Sequence, residues 1–399
     1  MGLTKAPRVF LLAGEASGDI HAAHLARALR ELVPGVELVG AGGPRMAEAG
    51  VRRVVDTSAW GVVGYVEAYV RLPLFALRFR RVVSRLRELR PDAVVLVDFP
   101  GFNVFVAKAV CQQLPTVYYF PPMAYGRRGG RARVLARMPV RVLTTFPFEY
   151  EEYRAAGADV VFVGHPAVDL ARPALPREEL WAQLGLKPDV PLLALLPGSR
   201  VQEVRALLPI QLLAYRLLRE RGVRVQAAVA VASERLKPMV GRILQRYGAD
   251  VPAPTGRTYD LLAYAEAAVV TSGTATLEAA LLGTPAVVVY RVSRPTAWIA
   301  RRVATVPWVG LPNLLAGRLL LPELLQERCR PELVAQAVQK LLEDPARAEE
   351  LRRQLRSVAA AVGPPGAVRR AAQEVARRLG LGQQTVEGPR TAELARPEG

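Results

Sequence analysis

The segment Val9-Phe-Leu-Leu-Ala-Gly-Glu-Ala-Ser-Gly-Asp-Ile-His-Ala-Ala-His-Leu25 carries three signals in succession. Val9 to Ala13 is an unbroken apolar run, the pattern of a short strand buried on both faces. The glycine-bounded turn Gly14-Glu-Ala-Ser-Gly18 follows, and from Asp19 the pattern turns helical until about Leu32. Strand, tight turn and helix together make the first half of a βαβ unit, which implies a parallel sheet. The same rhythm continues outward. Strands are predicted near Glu37–Val39, Ala93–Val97, Thr116–Phe120, Arg141–Thr145 and Val160–Val163, with helical stretches between them, the longest from about Leu72 to Leu89.

From Ala171 to Pro191 the pattern breaks into proline- and charge-rich sequence, and then a second series begins. It predicts a strand at Leu192–Leu196, a helix from Ser199 to Glu220, strands at Val223–Val231 and Ala267–Thr271, a helix at Thr276–Leu282 and a strand at Ala286–Tyr290. A last helical region is predicted from Glu332 to about Val362. The expected fold class is therefore α/β, with two Rossmann-like, doubly wound domains facing a cleft. Residues 1–175 form the first domain and 176–340 the second, residues 341–380 form helices that cross back to the first, and 381–399 are an expected disordered tail.

Composition narrows the function classes. Of 399 residues, 54 are Lys or Arg and 36 Asp or Glu, a net charge of +18 that suits a polyanion, an anionic membrane or a phosphorylated substrate. Only five of those 54 are lysines, so a bias towards arginine accounts for the excess as well as a ligand does. Cys111 and Cys329 have no metal-ligand spacing, which fits a reducing compartment. The N-terminal apolar run reads as a strand rather than a signal peptide, and no segment offers the roughly 20 apolar residues of a membrane span. A peripheral protein at most is expected.

The turns after buried strands are the candidate site, because folds of this class bind ligands at the carboxyl ends of their strands. The first turn holds Gly14, Glu15, Ser17, Gly18 and Asp19. It lacks the spacing of a dinucleotide fingerprint, and its two carboxylates would repel a pyrophosphate. It reads either as a site for sugar hydroxyls or as a tight turn with Asp19 at a helix N-terminus. Pro197-Gly198-Ser199-Arg200 ends another strand, with Ser199 placed to cap the helix and Gln202 at capping-box spacing. The free N–H groups, the helix dipole and Arg200 make an anion site there, unless the arginine is simply solvated. Ser272, Gly273, Thr274 and Thr276 repeat the arrangement, so that two helix N-termini would hold a diphosphate. Glu278 either accepts from ribose hydroxyls or merely favours the helix N-terminal half. Asp98, at the end of an apolar strand, is a candidate general base or a cap for the next turn. His165 ends a further strand, as a binding residue or a local hydrogen-bond partner. No metal is expected: His21 and His24 lack partners of ligand spacing, and no Asp-x-Asp pair or P-loop occurs. Arginine and helix dipoles would then neutralise any phosphate, and no cofactor is implied.

In order along the chain, GEASGD (14–19), GGPRM (42–46), VGYVE (63–67), VDFPGFN (97–103), FPFE (146–149), FVGHP (162–166), LLPGSR (195–200), SGTATLE (272–278) and LPNLLAG (311–317) resemble lipid-A-disaccharide synthase. The resemblance runs from about residue 8 to residue 335 and implies a GT-B glycosyltransferase, cytoplasmic and peripheral on the inner face of the cytoplasmic membrane, working without a metal. The implied reaction joins UDP-2,3-diacylglucosamine to 2,3-diacylglucosamine 1-phosphate, giving the β-1,6-linked disaccharide and UDP with inversion. Mapped onto this chain, Asp98 would take the acceptor proton and Arg200 with Ser199 and Gly198 would stabilise the diphosphate. Asn313 and Glu278 would hold nucleotide or donor sugar, and Glu15 would sit beside the reacting sugars. The implied partners are a UDP-acylglucosamine donor, an acylglucosamine phosphate acceptor and an anionic membrane surface, with no nucleic acid; a homodimer is left open. Trp60, Tyr65, Tyr69, Leu72, Leu74 and Phe75, beside Arg78 to Arg81, would face acyl chains and head groups, or else form a core helix.

The chain departs from the family pattern at three places. Pro121-Pro-Met-Ala-Tyr-Gly-Arg-Arg128 lacks both tryptophans of the usual loop, Gly101 replaces an aspartate, and Gly310 replaces a serine. The nucleotide end is well kept and the acceptor side altered. The competing expectations are a related GT-B enzyme with another lipid or glycan acceptor, a UDP-sugar 2-epimerase, and a non-enzymatic basic binder.

Overall fold

The computed structural model describes residues 6–58, 60, 72–123, 130–292 and 308–381. Tyr65, Tyr69, the VGYVE motif, the 124–128 part of the altered loop and the tail from 382 lie outside the described residues, as does the side chain of Leu72.

Two parallel sheets form the framework. The first contains β1 (Arg8–Ala13), β2 (Glu37–Gly42), β3 (Arg52–Asp56), β4 (Ala93–Val97), β5 (Thr116–Tyr119), β6 (Val140–Thr144) and β7 (Val160–Phe162), in the order β3-β2-β1-β4-β5-β6-β7. The second contains β8 (Leu192–Leu196), β9 (Gln226–Val229), β10 (Ala267–Thr271), β11 (Ala286–Tyr290) and β12 (Glu323–Leu325), in the order β12-β11-β10-β8-β9. In each sheet the chain lays strands outward in one direction, returns to its first strand and continues on the other side. The reversal falls between β1 and β4 in the first sheet and between β8 and β10 in the second. Loops diverge at such a point and leave a crevice. The turns after β1, β4, β8 and β10 are the ones that carry Glu15, Asp98, Arg200 and Ser272.

Why the strands are continuously apolar is visible in their two faces. Phe10, Leu12, Val94 and Leu96 pack on one side of the first sheet with Phe102 and Val106. Val9, Leu11, Val95 and Val97 pack on the other with Leu25 and Leu29 of the helix Ala16–Leu32. Alternate side chains serve opposite layers, so neither set can be polar. The second layer is completed by the last helix, Ala367–Arg378, whose Ala371, Ala372 and Val375 are buried in the same cluster.

Several boundaries differ from the sequence reading. Strands β3 and β12 were not anticipated, since one is Arg-Arg-Val-Val-Asp and the other only three residues long. The expected strand Val223–Val231 shortens to Gln226–Val229. The helical region expected from Glu332 to Val362 consists of two helices, Pro331–Glu343 and Pro345–Ala360. Pro345 cannot continue the first, and the Asp344 carboxylate accepts from the Arg347 N–H at 2.9 Å to start the second. Among the described residues no helix is long and apolar enough to cross a membrane.

Candidate active site

The chain reverses sharply where β4 ends. Asp98 and Phe99 both adopt left-handed backbone, φ 53° and 51°, a conformation that costs non-glycine residues free energy. The surroundings impose it. Asn103 Nδ2 donates to the Asp98 carbonyl at 2.8 Å and the Tyr118 hydroxyl donates to the same oxygen at 3.1 Å. Gly14 opposite has no Cβ, and one built there would fall 2.0 Å from the Phe99 ring. With the turn pinned, the Asp98 carboxylate points to the first loop, where the Ser17 hydroxyl donates to Oδ2 at 3.0 Å. Burial raises the Asp98 pKa above the ordinary carboxylate value, while Ser17, the Phe99 N–H and Arg200 pull the other way. Such a carboxylate is a stronger base than one in water.

Glu15 precedes the helix Ala16–Leu32 without capping it. Its Oε2 accepts from Arg200 Nη2 at 3.2 Å, a contact between the two halves of the chain. Burial raises its pKa too, Arg200 opposes that shift, and the Asp98 charge reinforces it. Two carboxylates and one guanidinium thus meet where the two switch points face each other.

The loop after β8 corrects one expectation. Ser199 is exposed and does not cap the helix, which runs Val201–Glu220 from an Arg200 N-cap, and Gln202 has no part in it. Glu203 takes the place assigned to an anion. Its Oε2 accepts from the N–H groups of Ser199 and Arg200, at 3.1 and 3.2 Å, and its Oε1 from Arg200 Nη1 at 3.0 Å. Gly198, φ 110°, leaves room for that carboxylate.

At the loop after β10, Gly273 is exposed with φ 145°, and open space surrounds the position of a Cβ. Thr274 begins the helix Thr274–Leu281, and the Ser272 hydroxyl donates to the Val309 carbonyl at 3.1 Å. Glu278 accepts from the Tyr259 hydroxyl at 3.1 Å, and burial raises its pKa. Thr276 is fully buried, donating to the Gly273 carbonyl at 2.7 Å and accepting from the Leu311 N–H at 3.2 Å, so it shapes the loop rather than meeting a ligand.

Three further expectations are revised on the same ground of burial and satisfied hydrogen bonds. Asn313 is fully buried: Nδ2 donates to the Leu321 carbonyl and Glu323, and Oδ1 accepts from the Leu320 and Leu321 N–H groups. It is a pin for the chain before β12, with no capacity left for nucleotide or sugar. Asp19 accepts from the N–H groups of Gly43, Arg45 and Met46 and thereby starts the helix Pro44–Glu48. His165 is buried and neutral, burial taking its pKa down to about 3; Nδ1 accepts from the Ala167 N–H at 3.1 Å, and its ring packs on Phe120, Phe146 and His21. Gly18 faces the site only as backbone, 3.5 Å from Asp98 Cβ at its would-be Cβ.

Asn103, Tyr118, Glu203 and Tyr259 were missed. Asn103 stood within the VDFPGFN motif without a role, and the position of Glu203, three residues after Arg200, was the available signal for it. Of the departures from the family pattern, Gly101 has open space where an aspartate would begin. At Gly310 a Cβ would lie 3.1 Å from Glu323 Oε1, which accepts the Gly310 N–H at 2.9 Å. Among the described residues, no group of three His, Cys, Asp or Glu side chains is placed to hold a metal ion.

Known proteins share this organisation. The sequence profile of the family described as Lipid-A-disaccharide synthetase matches residues 9–375. The lipid-A-disaccharide synthase of Geobacter sulfurreducens is 37% identical over 374 residues, covering 94% of this chain and 97% of that protein. That of Syntrophus aciditrophicus is 39% identical over 366 residues, covering 91% and 96%. Among solved structures, a UDP co-structure of Staphylococcus aureus MnaA superposes with a TM-score of 0.62 at 13% identity, over 95% of this chain and 99% of that one. Acinetobacter baumannii MurG gives 0.54 at 15% identity, over 93% and 99%. At such identities the structural likeness speaks for the fold alone, which is that of the GT-B enzymes. The sequence matches decide the rest: the chain belongs to the lipid-A-disaccharide synthase family of glycosyltransferases.

Proposed function

We propose that the chain transfers 2,3-diacylglucosamine from its UDP conjugate to the 6-hydroxyl of 2,3-diacylglucosamine 1-phosphate. The observation that carries this reading is the meeting of Asp98, Glu15 and Arg200 between the two switch points. Asp98, held by Ser17, takes the hydroxyl proton as the acceptor oxygen forms its bond to C1 of the donor sugar. The C1–oxygen bond on the opposite side breaks, and its electron pair leaves with the β-phosphate of UDP, inverting C1. Arg200 neutralises the charge that grows on the diphosphate, which is electrostatic work suited to a fixed donor in a cleft. The open backbone at Gly273–Thr274 receives the phosphates, and Glu278 with Tyr259 stands one helical turn further on for the ribose hydroxyls. Asn313 acts at a distance, by holding the chain under Gly310.

The acyl chains call for a membrane-facing surface at the cytoplasmic side. Leu74 and Leu77, exposed at 39% and 65%, precede Arg80 and Arg81 on the helix Leu72–Leu89, Phe105, exposed at 50%, packs on Phe75 of that helix, and together they suit that role. A UDP-release assay with donor, with and without acceptor, in detergent and EDTA, tests the whole reading. Release that requires the acceptor and persists in EDTA is expected. UDP binding without acceptor-dependent release would move the acceptor to another lipid or glycan, and change of the UDP-sugar without any acceptor would favour epimerase chemistry.

A further inference from the structure

The loop 198–200 is built as an anion site and is filled by the protein itself. It has the carboxyl end of a buried strand, a glycine at φ 110°, the N-terminus of a twenty-residue helix and a guanidinium. Yet the two N–H groups that would receive a phosphate oxygen both donate to Glu203 Oε2, and the inner nitrogen of Arg200 donates to Glu203 Oε1. The Glu203 side chain is 9% exposed. Gly198 belongs to the same arrangement, since a Cβ there would lie 2.5 Å from Glu203 Oε2 and 2.7 Å from Glu203 Cβ. The outer nitrogen of Arg200 points away from this pocket, to Glu15 on the other half of the chain.

We propose that Glu203 is a positioning residue of the donor site, which fills the N–H pocket of the 198–200 loop and presents Arg200 to the donor diphosphate by its outer nitrogen. This rests on the reading of the donor as a nucleoside diphosphate sugar. The physical reason is differential binding. A pocket that gripped the diphosphate equally in substrate, transition state and product would tighten binding without lowering the barrier, and would hold the product. The diphosphate gains negative charge only as its bond to C1 breaks. An internal carboxylate weakens the hold on the resting diphosphate, while its bond to the inner nitrogen keeps the guanidinium in one orientation for the developing charge.

Two variants of the full chain test this, Glu203→Ala and Glu203→Gln, with UDP as the probe in calorimetry, steady-state kcat and KM, UDP product inhibition and thermal melting. Glu203→Ala is expected to bind UDP about 5- to 10-fold more tightly, because two N–H groups and one charge are released, and to lose about 10-fold or more in kcat. Product inhibition by UDP should strengthen in parallel. Gln keeps an oxygen for the two N–H groups and loses the charge, so Glu203→Gln should fold as the parent does and tighten UDP by a smaller factor; if Ala does not fold, Gln decides. A residue that only supported the fold would weaken UDP binding and kcat together as the melting point fell. UDP affinity unchanged or weakened in both variants, with an active parent, overturns the role of Glu203 alone. A parent that binds no UDP removes the donor reading and this inference with it.

Discussion

Glu149 lies outside the proposed transfer steps, yet it couples pH to stability. Burial lifts its carboxyl to about 8, against the Thr145 and Phe146 N–H groups, and one of its oxygens has no partner. The folded protein therefore keeps a proton that the unfolded chain releases above its ordinary value of 4.5. With more protons bound at this site in the folded state, the stability that Glu149 contributes falls as pH rises from 4.5 towards 8, and levels off above that. Glu149→Gln removes this contribution to the slope. Its melting point should match the parent near pH 4.5 and exceed it by about 5 °C or more at pH 8, read by thermal melts across that range. Asp98 follows the same physics in activity. With Asp98 as the proposed base, its raised pKa places the acid limb of kcat/KM above the ordinary aspartate value, because such a base must be ionised to work. Asp98→Asn should lose about 100-fold or more in kcat together with that limb, while UDP binding in calorimetry stays intact.

The strand–turn–helix elements explain what precise placement of such groups requires. The turn Asp98–Phe99 is strained, and its carbonyl is held by two donors that come from a helix and a neighbouring strand, Asn103 and Tyr118. Tyr118→Phe removes one of them at a fully buried position. About 1 kcal/mol of stability should be lost, as a lower melting point, and kcat should drop several-fold with the donor KM unchanged, since the proposed donor site is on the other half. A KM change of the same size would show that the turn also shapes the donor site. The elements themselves were readable in the sequence where apolar runs are long, as at Val9–Ala13 or Leu192–Leu196, because burial on both faces leaves a continuous signal. The strands β3 and β12 were not, because edge positions accept arginine and glutamate. Site residues divide in the same way. Asp98, Glu15 and Arg200 stand at turns after buried strands, which is what makes them candidates from sequence alone. Asn313, Asp19 and Thr276 share those turns, but their hydrogen-bond capacity is consumed by backbone groups that only the folded chain brings near.

At the scale of the molecule, the sequence pattern carries least information about how the chain returns. It leaves the first sheet after β7, passes Gly164 to Leu170 towards the second, and comes back through Val362 to Ala367. The two crossings are fastened together. The His165 N–H donates to the Val362 carbonyl at 3.0 Å, and the Asp169 carboxylate accepts from the Gly366 and Ala367 N–H groups at 2.6 and 3.1 Å. Arg370 donates to the Val163, Pro364 and Pro365 carbonyls. The return was expected for residues 341–380 together, but Leu351 and Leu355 of the helix Pro345–Ala360 stay in the core of the second half and only the helix Ala367–Arg378 reaches the first sheet. Partners some 200 positions apart leave no periodicity to read, so Asp169 was not evident from residue order. Asp169 caps a helix that lies far along the chain, and its loss has a local signature. Asp169→Ala leaves two N–H groups at that helix start without their acceptor, which costs about 1–3 kcal/mol. The melting point should fall by several degrees, and hydrogen exchange should speed up across residues 366–378 and in the strands β4 and β5 beneath them. Amides of β8 and β10 should keep their protection, because the second sheet has its own core. Uniform loss of protection in both sheets would mean instead that the crossing couples the halves into one cooperative unit, and that the final helix is a strap for the whole molecule rather than a cover for the first sheet.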